Sequence, residues 1–139
     1  MDTKLNRVTF TPLKQFSDEK GVVKRMMRTG DVGYNGLEEV YCSSVEYGVT
    51  KGWKKHKKMT LNLCVVSGSI EFYVLNENQT FKGSYKISKD NYGRLTIPPL
   101  HWVAFKGLDV GENILINMAD MVHDATEFEN APLSRFNIG

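Results

Sequence analysis

Lys51-Gly52-Trp53-Lys54-Lys55-His56-Lys57-Lys58-Met59-Thr60-Leu61-Asn62-Leu63-Cys64-Val65-Val66-Ser67-Gly68 carries a histidine set among lysines straight into an apolar run closed by a glycine turn. A run of branched and apolar residues bounded by Ser and Gly predicts a β-strand. Read with a period of two, the stretch has two faces. Lys54, His56, Lys58, Thr60 and Asn62 fall on one, and Leu61, Leu63 and Val65 on the other. So long a polar row is either plain solvent face or the wall of a polar pocket. Histidine exchanges a proton near neutral pH more readily than any other side chain, and lysines around it favour an anionic ligand.

Upstream, residues 7–16 read as an extended segment, and Ser17-Asp18-Glu19-Lys20-Gly21 as a polar turn whose glycine closes a hairpin with residues 22–28. Three glycines over residues 29–36 predict a loop, and residues 39–45 are rich in strand formers. Downstream, residues 70–75, 81–87 and 94–97 form further strands separated by polar turns, and the last of these ends at Pro98-Pro99. Residues 102–105 and 113–119 supply the final apolar strands. Asp124 three residues before Glu127 resembles a capping box, so a short helix is expected over residues 125–130, stopped by Pro132. About nine short strands with no alternating long helices point to an all-β sandwich or barrel.

The 139 residues, 41% apolar, suffice for one domain with a real core, expected over 1–139. A net charge of +2 is too small to imply nucleic-acid binding, and the basic cluster at Lys51 to Lys58 has one flanking aromatic and no nucleic-acid fold signature. Cys42 and Cys64 lie in strand-like runs without metal or redox spacing and read as buried free thiols, consistent with a reducing cytoplasm. No signal-peptide-like stretch opens the chain, and nothing approaches the roughly 20 apolar residues of a membrane span.

The sequence resembles the RmlC-like cupins, the jelly-roll superfamily that includes dTDP-4-dehydrorhamnose 3,5-epimerase and the dTDP-4-keto-6-deoxyhexose 3,4-ketoisomerases. Asp18-Glu19-Lys20-Gly21 is similar to the Asp-x-Arg-Gly turn of the epimerases, and Glu39-Val40-Tyr41 to a ketoisomerase strand. The run from Lys51 to Lys58 resembles Arg-Gly-Phe-His-x-His-Lys-Lys, and Ile97-Pro98-Pro99-Leu100-His101-Trp102 resembles Ile-Pro-Pro-Gly-x-Trp-His. Gly48, His56 and Gly68 occupy their places in the first cupin motif, while Lys54 stands at its first histidine, Thr60 or Leu61 at its glutamate, and Val103 at the histidine of the second motif. One ligand of four does not hold a transition metal, so neither metal nor other cofactor is expected.

The resemblance implies a cupin jelly-roll β-barrel with a short C-terminal helix. It also implies an epimerase or isomerase of a nucleotide-linked, dTDP-type 4-keto-6-deoxy sugar serving cell-surface polysaccharide synthesis, dimeric and cytoplasmic. His56 is then the proton-transfer base, Tyr41 the candidate acid and Lys54 the electrostatic partner of the enolate oxygen. Lys20 and Arg94 are candidates for the diphosphate, and Asn62 and Trp102 for further substrate contacts. In the epimerase pattern a catalytic lysine falls at about Leu61 and a tyrosine near Ile116 or Asn117. Lys51, Lys55, Lys57 and Lys58 read as solvated surface, and His101 and His123 as structural. A second class of function stays open: a binding-only cupin, either a sugar sensor or an accessory subunit.

Overall fold

The computed structural model describes residues 5–137; residues 1–4 and 138–139, the ends of the expected 1–139 domain, lie outside the described residues. The strands are β1 (Thr9–Pro12), β2 (Gln15–Asp18), β3 (Gly21–Lys24), β4 (Glu39–Ser44), β5 (Thr50–His56), β6 (Leu61–Ser67), β7 (Ile70–Asn76), β8 (Lys82–Ile87), β9 (Gly93–Ile97), β10 (His101–Gly107), β11 (Ile114–Ala119) and β12 (Phe128–Asn130). One sheet has the order β1-β9-β6-β11-β4, the other β12-β5-β10-β7-β8, and β2 and β3 form a separate hairpin. The fold is the all-β cupin jelly roll. Alternation along the strands sends Leu63, Val65, Phe72, Val74, Leu95 and Ile97 into one core shared by both sheets.

Four sequence expectations change. The opening stretch is two strands in two sheets, β5 and β6, joined over residues 57–60, so its faces do not run through. Lys54 and His56 therefore line the same cavity as Leu61 and Leu63. Asn62 points to the other side of its sheet, where Nδ2 donates to the Gly33 carbonyl (3.0 Å) and Oδ1 accepts from the Thr96 hydroxyl (2.6 Å).

The residues expected as a helix form a turn and a strand instead. Asp124 Oδ1 accepts the Thr126 amide (2.9 Å) and hydroxyl (2.7 Å), which satisfies the side chain in a local turn rather than at a helix start. Phe128–Asn130 then pairs with β5, and the only helical turn among the described residues, the 3-10 turn Leu133–Arg135, follows Pro132 rather than preceding it. Third, Cys42 is exposed on the edge strand β4, while Cys64 is buried, and both are free thiols. Lys55 is not solvated surface either: it is buried and bridges Glu77 (2.8 Å) and Glu129 (2.9 Å).

One end of the barrel is tied by a buried asparagine. Asn113 Oδ1 accepts the amides of Ser69 (3.0 Å) and Asp109 (3.1 Å), and Nδ2 donates to the carbonyls of Val45 (3.2 Å) and Asp109 (2.9 Å). The fit leaves no room at Gly68, where φ is 73° and an added Cβ would stand 2.4 Å from Asn113 Oδ1. Asn113→Ala strands several buried backbone groups at once, each costing about 1–3 kcal/mol. The expected loss of stability is about 3 kcal/mol, read in urea unfolding as a lower midpoint with an unchanged slope.

Candidate active site

A cavity of about 520 Å³ opens between the two sheets, walled by β5, β6, β10 and β11 and closed on one side by β12. His56, the last residue of β5, lines it. Its Nδ1 donates to Glu127 Oε1, and the second carboxylate oxygen accepts the amides of Lys58 (3.0 Å) and Met59 (3.2 Å). The Lys57 amide adds a bond to the Glu127 carbonyl (2.7 Å), and the Leu100 amide one to the His56 carbonyl (2.7 Å). Glu127 is 2% exposed. Burial by itself raises a carboxyl pKa, but the donors from His56, Lys58 and Met59 outweigh it and hold Glu127 below the usual carboxylate value. An ionised carboxylate on Nδ1–H leaves Nε2 as the basic nitrogen of His56.

Tyr41, on β4, also lines the cavity and donates its hydroxyl hydrogen to Glu39 Oε1 (2.6 Å), an oxygen that accepts the His123 amide as well (2.8 Å). Burial, reinforced by the carboxylate, pushes the phenol up to about 12, so it keeps its proton at neutral pH. Lys54 lines the same space with Nζ 4.5 Å from the centre of the Phe128 ring. That ring also meets the imidazoles of His56 (5.8 Å) and His123 (5.6 Å).

Of the seven residues proposed from sequence, the cavity thus gathers Tyr41, Lys54 and His56. The other four stand elsewhere. Lys20 is exposed in the β2–β3 turn. Arg94 is fully buried on the outer side of its sheet, its guanidinium donating to the carbonyls of Met26 (2.6 Å) and Val32 (2.5 Å) and thereby holding a loop rather than a ligand. Asn62 is consumed by Gly33 and Thr96, and Trp102 packs outside the barrel on Phe136 (5.5 Å). His101 Nδ1 pairs with the carbonyls of Pro98 and Pro99 and is structural. His123, read from sequence as structural, stands in the cavity wall, as do Leu61, at about the position of the epimerase lysine, and Asn117, one of the two residues near that of the tyrosine.

Glu127 and Phe128 had no place in the sequence reading of the site. Glu127 lies 71 residues from His56, and its only local signal, the spacing from Asp124, pointed to a helix. Among the described residues no three His, Cys, Asp or Glu side chains gather as a ligand set for a metal ion. No described helix is long and apolar enough to cross a membrane.

A family model described as FdtA, WxcM-like, C-terminal matches residues 6–134. No curated protein sequence matches the chain. Among solved structures, the chain is similar to a dTDP sugar isomerase from Desulfovibrio desulfuricans G20, at 26% identity over 94% of this chain and 87% of that one, with a TM-score of 0.88. It shares the fold of QdtA, a sugar 3,4-ketoisomerase from Thermoanaerobacterium thermosaccharolyticum solved with TDP (22% identity, 90% and 88% of the two chains, TM-score 0.75). The same holds for a dTDP-4-dehydrorhamnose 3,5-epimerase from Sulfolobus tokodaii (15% identity, 94% and 80%, TM-score 0.81).

The lowered Glu127 pKa has a consequence for stability. Its ionised form contributes above the ordinary glutamate value of about 4.3, and that contribution is lost as pH falls through the lower native value. Glu127→Gln is expected to unfold at lower urea than wild type at pH 7, with the gap narrowing towards pH 3. A gap independent of pH would contradict the assignment of charge to Glu127.

Proposed function

The chain belongs to the FdtA, WxcM-like C-terminal family, and from that membership and the cavity together we propose that it is an enzyme that epimerises or isomerises a nucleotide-linked 4-keto-6-deoxy sugar. The observation that carries this reading is the His56–Glu127 pair in the cavity wall, an imidazole held in one tautomer by a buried carboxylate. The substrate is a dTDP-sugar, as the names of the similar isomerase and epimerase suggest, and the product feeds cell-surface polysaccharide synthesis in the cytoplasm.

His56 Nε2 removes the proton alpha to the ketone. The C–H electron pair becomes the new C=C bond, and the carbonyl pair moves onto oxygen to give an enediolate. Lys54, which makes no ion pair among the described residues, supplies positive charge to that oxygen from the cavity wall. Tyr41 keeps its proton and serves as a hydrogen-bond donor when it turns from Glu39 to a sugar oxygen. No metal or other cofactor enters the scheme. Lys51, at the cavity wall, takes the diphosphate role that neither Lys20 nor Arg94 is placed to fill.

The protein acts as a homodimer in this reading. The β2–β3 hairpin exposes Phe16 and Val23, paired across its strands on one side, and Val22 on the other, and a two-stranded hairpin with bare apolar residues is marginal alone, so a second copy is its fitting cover. Light scattering after gel filtration should give twice the chain mass, and Val23→Lys should shift it towards one. A wild-type monomer would remove the dimer from the proposal.

Incubation with dTDP-4-keto-6-deoxyglucose in D2O should place deuterium next to the ketone, at C3 or C5. Loss of the general base in His56→Ala should slow labelling by about 10²–10⁴-fold. Binding of the sugar nucleotide without labelling would favour the sensor or accessory-subunit reading instead.

A further inference from the structure

Moving a ketone between adjacent carbons displaces two protons: one leaves C3 and arrives at C4, the other leaves O3 and arrives at O4. The cavity must therefore handle a carbon-bound and an oxygen-bound proton. His56 is placed for one. Among the other titratable groups in the wall, Tyr41 is a poor carrier, because its hydrogen is committed to Glu39 and burial holds the phenol far above neutral pH. Lys54 is a fixed charge for the enediolate, and Lys51, assigned to the diphosphate, donates its Nζ to the Ser44 carbonyl (2.6 Å).

The remaining imidazole is His123. It lies in the segment between β11 and β12, and its ring lines the cavity against the same Phe128 ring that supports His56. Its backbone is pinned, since its amide donates to the Glu39 oxygen that also holds Tyr41, so Tyr41 and His123 share one anchor. The residue is exposed as well as part of the cavity wall, so it lies within reach of both solvent and substrate.

We propose that His123 is the second proton carrier of the site and that it works as a 3,4-ketoisomerase pair with His56, an assignment that rests on the sugar-nucleotide reading above. His56 takes the C3 proton, leaving the electron pair in the C3–C4 double bond and the charge on O4. His123 as imidazolium gives its proton to O4 and, as imidazole, accepts the O3 proton while the O3 electrons close the new C3 carbonyl. The enediol double bond meanwhile takes the proton from His56 at C4. Both imidazoles end as they began, and no external acid, base or redox partner is consumed.

The two histidines then separate in one experiment with dTDP-4-keto-6-deoxyglucose in D2O, followed by proton NMR for C3 deuterium and for the 3-keto product. His56→Ala should lose both signals. His123→Ala should still label C3, since the enediolate still forms, while the rate of 3-keto product falls about 10²-fold or more and is partly restored by added imidazole. His123→Gln, which keeps a polar side chain of similar reach, should behave like the alanine variant. Equal rates of product in wild type and both His123 variants would overturn the assignment, as would parallel loss of labelling and product without imidazole rescue. Wild-type labelling with only an epimer as product overturns the inference but leaves the sugar-nucleotide reading standing; no labelling and no product from wild type overturns both.

Discussion

A carboxylate cannot be taken out of water without donors to replace the water, and the way Glu127 is satisfied fixes much of this structure. Its donors are the ring of His56 at the end of β5 and two amides of the link into β6. The link has to turn so that those amides converge on one oxygen, and that turn carries the chain from one sheet to the other. The backbone of Glu127 is bonded to Lys57, which starts the pairing of β12 along β5. One buried charge thus sets the tautomer of the base, the sheet crossing and the closure of the cavity.

This arrangement explains what the sequence could and could not disclose. Local rules found the strands, because alternation in Ile70, Phe72 and Val74 and turns at Gly21 and Gly68 are written in neighbouring residues. The cupin pattern located His56 because the spacing between Gly48 and Gly68 preserves the loop lengths around it. The same alternation misled across residues 57–60, where a period-two reading assumes one continuous strand. A partner 71 residues away leaves no local trace, so Glu127 read as part of a helix cap.

Polarity alone also failed to separate ligand-binding residues from internal fasteners. Arg94, Asn62 and Trp102 carry the functional groups expected of a binding site, yet each is spent on the outer side of a sheet. Arg94 closes the backbone of the loop between β3 and β4, whose carbonyls have few strand partners to turn to. What decides between the two uses is which side of the sheet a residue occupies, and strand alternation fixes that only once the pairing partners are known. Lys54 and Lys55 make the point with adjacent residues of one type. Lys54 faces the cavity over Phe128, whereas Lys55 faces outward and is neutralised by Glu77 and Glu129.

Three basic side chains around one phenyl ring would repel one another if all were charged and bare. Two carboxylates relieve this from beneath: Glu127 bonds the ring of His56, and Glu39 holds the segment that carries His123. Both are kept ionised, Glu127 by its donors against burial and Glu39 by Tyr41 and the His123 amide. Lys54 has no such counter-charge among the described residues, and its contact with the Phe128 face is a weaker substitute. The cavity therefore presents an uncompensated positive charge at the position where the cupin pattern has a histidine. An anionic intermediate bound beside Lys54 would gain more from that charge than a neutral ketone does, which is the difference that accelerates a reaction rather than merely tightening binding.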